Sequence, residues 1–227
     1  MKTPQNKLYL VSTPIGNYDD ITLRALKVLQ EVDFIICEEY KEGSKLLNFL
    51  QIKKPLTSLN EHNEKELASE VALEIINGKS AALISDCGTP VFSDPGLFLV
   101  DFCISANINI VPVPGASSLM PALIGSGFDI NKFYFYGWLS PKKDIRRMEL
   151  KRVKGIKELI VLLDTPYRLI SLLKDCADIM GANKPAVVAY QLTLPNEKYM
   201  RGGLEDLYNK ALADKLKGEF VLLINNR

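Results

Sequence analysis

The sequence is poor in the residues from which metal centres and charge-relay sites are built. A single histidine, His62, cannot anchor a multi-histidine metal site, and it would be the one possible base of a Ser-His-Asp triad. The four cysteines, Cys37, Cys87, Cys103 and Cys176, show no C-x-x-C spacing, which argues against a structural metal and for reduced thiols in a cytoplasmic protein. Neither a G-x-G-x-x-G after the first apolar run, nor a G-x-x-x-x-G-K-S/T, nor a G-x-S-x-G elbow is present. Nucleotide polyphosphate and serine-hydrolase chemistry therefore lose their usual loops. Charge of one sign is also lacking: 28 Lys and Arg against 27 Asp and Glu leave a formal +1, too little for a long-range field on a polyanion. No apolar run reaches the about 18 to 20 residues of a membrane span, and no basic-then-apolar leader opens the chain. The expectation is a cytoplasmic protein with no metal and no membrane association.

What is present is a globular composition: 227 residues, 47% hydrophobic and 24% charged. Short apolar runs alternate with segments of helical period, which predicts β-α units around a mainly parallel sheet. Expected strands in the first half are 8–12, 33–37, 55–59, 81–85 and 108–112. A helix is expected over 21–29 with Asp20 as N-cap, and another over 61–77 ended by Gly78. The second half carries the expected strands 133–137, 158–164, 186–190, 198–202 and 219–224, with fewer helices and a mixed sheet. Its helix 167–180 places Cys176 on the apolar face with Leu169, Leu172, Leu173 and Met180, so Cys176 is expected in the core. Two prolines and a glycine in "PVPGASS" (112–118) mark the boundary, before a helix starting at Ser117 or Ser118. The expected organisation is a doubly wound α/β domain over 1–115 and an α/β domain with a mixed sheet over 116–227, with the active-site cleft between them.

In open parallel sheets ligands bind beyond the carboxyl ends of the strands, which directs attention to the loops "TPIGN" (13–17), "CEEYKEG" (37–43), "NEHNE" (60–64), "SDCGTP" (85–90) and "PGASS" (114–118). They are rich in prolines that fix φ and glycines that let another molecule approach the main chain, which suits a neutral or zwitterionic ligand. A single such loop is more often an ordinary turn; several at one sheet edge weaken that reading.

The segment "SDCGTPVFSDPG" (85–96), with "LYLVSTPIGNYDDITLRALKVL" (8–29), "NEHNE" (60–64), "VPVPGASSLMPAL" (111–123), "FYGWLSPKK" (135–143) and "KGEFVLLI" (217–224), resembles the tetrapyrrole-methylase superfamily of S-adenosylmethionine-dependent methyltransferases. The branch it is most similar to is the bacterial one that 2′-O-methylates a cytidine ribose of small-subunit ribosomal RNA. The resemblance runs in order from about residue 7 to 225. It implies two α/β domains with S-adenosylmethionine folded in the cleft between them, a homodimer, and ribosomal RNA or the small ribosomal subunit as partner. Carried over residue by residue, the cofactor contacts would be Pro14, Asp86, Cys87, Gly88, Thr89, Val91, Phe92, Ser117 and Ser118, with Leu163, Leu192 and Gly218 from the second domain. Gly88 and Pro90 would present main-chain groups, Thr89 a hydroxyl, and Cys87 would pack. Asp86 and Asp94 could instead hold the turn through their own side chains.

Methyl transfer from a sulfonium needs positioning and a base for the hydroxyl proton. The candidates are Glu38 and Glu39 after the second strand and Glu61 or His62 after the third. Departures from the branch fall here: Tyr40–Lys41 stand where it has Thr-Arg, "DTPYR" (164–168) replaces an ESPHR-like run, and Gln191 replaces a carboxylate. A lysine cannot reproduce the bidentate fork of an arginine. The segment 140–157 carries Lys142, Lys143, Arg146, Arg147, Lys151, Arg152, Lys154 and Lys157 against Asp144 and Glu149, either a phosphate-contacting patch or a solvated helix face. Two other readings stay open: methylation of a small molecule such as a tetrapyrrole, and a silent relative that binds cofactor or RNA without turnover.

Overall fold

The structure, a computed structural model, describes residues 6–60, 62–92 and 94–227. It divides into two compact units, Met1–Ser117 and Ser118–Arg227.

In the first unit Lys7–Val11 (β1), Phe34–Cys37 (β2), Leu56–Ser58 (β3), Ala81–Ile84 (β4) and Asn109–Val113 (β5) form a sheet in the order β3-β2-β4-β1-β5, parallel throughout. Helices Leu23–Glu31 (α1) and Tyr40–Phe49 (α2) cover one face, where Val28, Leu29, Leu46 and Leu47 pack on Val11, Ile35 and Ile84. Glu64–Ile76 (α3) and Leu97–Ser105 (α4) cover the other, with Val71, Ile75, Leu99 and Cys103 on Leu8, Ile36 and Leu83. Alternate residues of each strand thus serve opposite cores, which is why β2 and β4 are apolar at every position. Connections from β1 lead through α1 to β2, and from β4 through α4 to β5, on opposite faces. The neighbouring strands β4 and β1 therefore flank the topological switch point, where such sheets open a crevice at their carboxyl ends.

Two helix boundaries differ from expectation. The first helix is capped not by Asp20 but by Thr22, whose hydroxyl accepts the Ala25 N–H at 3.0 Å; Asp20 lies in a short 3-10 turn, Tyr18–Asp20. The third begins at Glu64 after Asn63, and Gly78 ends it as expected, with φ +102°.

The second unit pairs Phe133–Trp138 (β6), Leu159–Asp164 (β7), Pro185–Tyr190 (β8), Lys198–Gly203 (β9) and Phe220–Asn225 (β10) in the order β6-β7-β10-β8-β9. Only β6 and β7 are parallel, so the sheet is mixed. Contrary to the expectation of fewer helices, this unit has four among the described residues, as many as the first: Leu119–Ser126 (α5), Lys143–Val153 (α6), Leu169–Met180 (α7) and Leu204–Ala213 (α8). The polar helices α6 and α8 bury only three side chains each, a thin stripe that the sequence shows weakly. Helix α7 starts at Leu169, after a 3-10 turn at Pro166–Arg168, and Cys176 is fully buried with its apolar neighbours.

The basic segment is partly structural. Arg146, 5% exposed, donates through Nε and Nη2 to Asp175 Oδ2 at 2.9 and 2.7 Å, and Arg147 reaches Asp175 Oδ1 at 2.5 Å and Asp178. Lys154 donates to the Ile179 carbonyl at 2.7 Å. These three cations tie α6 to the far end of α7, leaving Lys142, Lys143, Lys151, Arg152 and Lys157 exposed. Removing one partner of a buried pair strands the other charge. Asp175→Ala is expected to cost about 3 to 5 kcal/mol in urea unfolding, and Arg146→Met with Asp175→Leu to recover most of it.

Candidate functional site

Three loops of the first unit meet at the carboxyl ends of β1, β4 and β5. Thr13 and Gly88 form a two-way main-chain bridge, the Thr13 N–H donating to the Gly88 carbonyl at 2.8 Å and the Gly88 N–H to the Thr13 carbonyl at 3.1 Å. The buried Thr13 hydroxyl donates to the Ser85 carbonyl at 3.1 Å. Gly88 has φ +84°, the conformation that favours glycine, and a Cβ there would also press on Ile15 Cγ2 at 3.2 Å. The third loop joins through Thr89: the Ser12 hydroxyl donates to it at 3.3 Å, and it donates to the Ala116 carbonyl at 3.4 Å. Gly115 lies against Ser12 closely enough that a Cβ would be 2.9 Å from Ser12 Cβ.

This geometry changes two expected roles. The Gly88 amide and carbonyl are taken up by Thr13, and the Thr89 hydroxyl by Ser12 and Ala116. Both residues therefore bind loop to loop. Cys87 does not pack as expected: it is exposed, with its N–H donating to the Ser85 hydroxyl oxygen at 3.2 Å. Pro14 is buried, Val91, Ser117 and Ser118 half-buried, and Phe92 41% exposed. Val91 sits at φ +68°, a conformation rare for a β-branched residue and typical of loops whose shape is imposed by their surroundings.

Both aspartates of this loop hold it. Asp94 accepts the Ser85 hydroxyl at 2.6 Å, and Asp86 accepts the Glu39 N–H at 3.1 Å. Asp86 thus links the loop after β4 to the start of α2, where Glu39 is the N-cap. Burial raises the pKa of each; at Asp86 the Glu39 N–H opposes the rise, while the charges of Glu39, Glu42 and Asp94 add to it. Burial also pushes the Cys37 thiol beneath Glu38 up to about 12, with Asp86 and Glu39 adding to the effect.

The expected catalytic residues lie on the neighbouring half of the same edge, after β2 and β3. Glu38 is half-buried and its carbonyl accepts the Ser58 hydroxyl at 2.7 Å; Glu39 is exposed. His62 is exposed in the turn before α3, its N–H on Asn60 Oδ1 at 3.0 Å. Glu61 lies outside the described residues. Glu64, from the same run, acts on the fold, since its Oε1 accepts the N–H groups of Gly96, Phe98 and Leu99 at 3.1, 2.7 and 3.3 Å and so caps α4.

In the second unit Leu163, Leu192 and Gly218 gather at one sheet edge, where Leu163 pairs with Val221 and Tyr190 with Phe220. Gly218 lies under Tyr190 and Gln191, whose side-chain atoms would be 2.6 and 2.7 Å from a Cβ. Leu192 is flanked by Gln191 and Thr193, both with positive φ (47° and 67°). Beside them is a pair that the sequence shows only as a motif departure. Asp164 is buried and accepts from Arg168 Nε at 2.5 Å and from the Thr165 N–H at 2.6 Å. Ser12 is a rim residue that sequence reasoning missed, and Gly115 and Ala116 lie in a loop it named without assigning them a role; the signal available was the small-residue content of these segments. Among the described residues no cluster of His, Cys, Asp and Glu could hold a metal, and no helix is long and apolar enough to cross a membrane.

Residues 7–208 match the family of Tetrapyrrole (Corrin/Porphyrin) Methylases. The chain is 40% identical to the Ribosomal RNA small subunit methyltransferase I of Thermotoga maritima, over 97% of this chain and 99% of that one. It is 39% identical to the protein of the same name from Halalkalibacterium halodurans, over 96% of this chain and 75% of the relative. Among solved structures it is similar in fold to a cobalamin biosynthetic enzyme, cobalt precorrin-4 methyltransferase. That likeness has a TM-score of 0.72 at 18% identity and covers 98% of this chain and 97% of the other.

The Asp86 bridge yields a pH-dependent expectation. Its folded pKa lies above the unfolded one, so ionisation costs the fold stability at neutral pH, and the cost fades as pH falls through the folded value. Asp86→Asn keeps an acceptor for the Glu39 N–H and loses the charge. Thermal melts should show this variant at least as stable as the parent at pH 7, with the difference vanishing on acidification. Asp86→Ala, without the acceptor, should be the least stable of the three at pH 7.

Proposed function

The chain belongs to the tetrapyrrole (corrin/porphyrin) methylase family and is a methyltransferase, and on that premise we propose that it methylates a ribose 2′-hydroxyl of small-subunit ribosomal RNA, using S-adenosylmethionine, in the cytoplasm. The observation that carries this reading is the 40% identity, sustained over 97% of the chain, to a relative named for small-subunit ribosomal RNA.

S-adenosylmethionine, when bound, supplies a methyl group on an electron-poor sulfur. The first-unit rim suits it: small residues and prolines on a main-chain framework fit the zwitterionic end of such a ligand, and the bridged loops fix their positions before binding. The proposed cofactor residues there are Pro14, Asp86, Cys87, Gly88, Thr89, Val91, Phe92, Ser117 and Ser118. In the second unit they are Leu163, Leu192 and Gly218.

A ribose hydroxyl methylated beside this rim would have to give up its proton, which calls for a base on the chain. Glu38, Glu39 and His62 are the proposed groups for orienting the acceptor and taking that proton. The Asp86 bond to the Glu39 main chain supports Glu39 foremost, because it fixes the base's backbone to a cofactor loop. We further propose a homodimer, supported by the exposed Leu97, Phe98 and Phe102 of α4 and Leu73 and Ile76 of α3. Light scattering of the intact chain should return twice the monomer mass.

Mass mapping of ribosomal RNA from a deletion strain should show one 2′-O-methyl group missing from the small subunit. An unchanged map would exclude this substrate. Thr89→Val keeps the side-chain shape and breaks the Ser12–Thr89–Ala116 chain. It should weaken S-adenosylhomocysteine binding about three- to tenfold in calorimetry, with the circular-dichroism spectrum unchanged.

A further inference from the structure

Two aromatic rings stand at the same edge of the second sheet as Leu163, Leu192 and Gly218. Trp138, the last residue of β6 and the sole tryptophan, is 45% exposed, and Tyr167, in the turn after β7, is 77% exposed. Trp138 owes its direction to a fault in the ladder. The β6–β7 register shifts between Phe135 and Gly137, and Gly137 has φ +79°, a bulge of the kind that re-aims the side chain that follows.

Arg168 locks the two loops together. Its Nε donates to the buried Asp164 and its Nη2 to the Leu139 carbonyl at 3.3 Å. One guanidinium therefore holds both the residue after Trp138 and the turn containing Tyr167.

A cation sits on Tyr167, and two more stand on the segment that follows Trp138. Lys217 Nζ lies over one face of the Tyr167 ring, 4.4 Å from its centroid, so the opposite face is the one open to a base. Lys142 and Lys143 are exposed at the start of α6, the positive end of the helix dipole, where a cation opposes the helix. Of the nearby acids, Asp164 is paired with Arg168, Glu149 accepts the Ser140 N–H and Glu197 accepts the Thr193 N–H. Asp144, Glu149, Glu197 and Glu219 keep their charges, so the lysines act on phosphates as individual contacts and not through a net positive field.

Exposed rings beside lysines match what an unpaired nucleic-acid strand requires: flat faces for bases and point charges for phosphates. We propose that this edge holds a single-stranded segment of the RNA substrate, bases stacking on Tyr167 and Trp138, phosphates on Lys217, Lys142 and Lys143. The inference rests on the ribosomal RNA reading above and deepens it. Duplex RNA, whose base faces are covered, is excluded from the platform.

Because Trp138 is the sole tryptophan, its fluorescence reports this edge alone. The intact chain is titrated with a short single-stranded RNA and with the duplex of the same sequence. The single strand should quench Trp138 and the duplex should not. Tyr167→Ala, a truncation at an exposed ring that leaves the core untouched, should bind the single strand about tenfold more weakly. Lys217→Gln should flatten the log-log salt dependence by about 0.7. The platform is overturned if the single strand leaves Trp138 emission unchanged, if the duplex quenches equally, or if Tyr167→Ala binds like the parent.

Methyl transfer into small-subunit RNA is measured beside it. Transfer without quenching refutes the platform alone. Quenching that depends on Tyr167, without transfer, keeps the platform and refutes the substrate reading.

Discussion

The rim of the first unit depends on one closed pair of main-chain hydrogen bonds, Thr13 to Gly88 and Gly88 to Thr13. It sits where β1 and β4 send their helices to opposite faces of the sheet, so the two loops would otherwise diverge. A main-chain bridge needs no particular side chain, but it needs backbone shapes that few residues adopt. That requirement accounts for the glycine at 88, for Val91 in a left-handed conformation, and for prolines at 14 and 90. Thr89 and Gly115 then bring in the loop after β5. The dense run of Gly, Pro and Asp between residues 85 and 96 is thus first a joint between loops, and only through that a surface for a ligand.

The second unit ties its loops and helices by another means. Arg168 reaches Asp164 and Leu139, and Arg146 and Arg147 reach Asp175, so charged side chains do what the backbone does in the first unit. Low dielectric makes such ties strong and makes each partner indispensable. Two groups of the Asp164–Arg168 pair, Asp164 Oδ2 and Arg168 Nη1, are buried without a hydrogen-bond partner among the described residues. The pair is therefore held more by position than by full satisfaction of its polar atoms.

Much of this was legible in the sequence. The strands were readable within about a residue, most plainly the inner ones β2, β4, β7, β8 and β10, which are continuous apolar runs with loop residues at each end. Helices α2 and α4 were not. Helix α2 begins inside the polar run after β2, and α4 is apolar on nearly every side, so its period is hidden. The four helices of the second unit were undercounted for a related reason, since α6 and α8 bury so little. At the site, sequence found the loops but not the partners within them. Nothing local says that Glu64 caps a helix more than thirty residues on, or that Arg146 turns inward to Asp175, because such pairings are made by the fold.

The thiols illustrate what burial does to reactivity. Cys37, Cys103 and Cys176 are buried and their pKa values raised by desolvation, so they stay protonated and unreactive at neutral pH. Cys87 alone is exposed, one residue from the Thr13–Gly88 joint. A maleimide dye added to the native protein would attach there in preference to the three buried thiols, giving an optical reporter beside the loop joint without engineering a new attachment point.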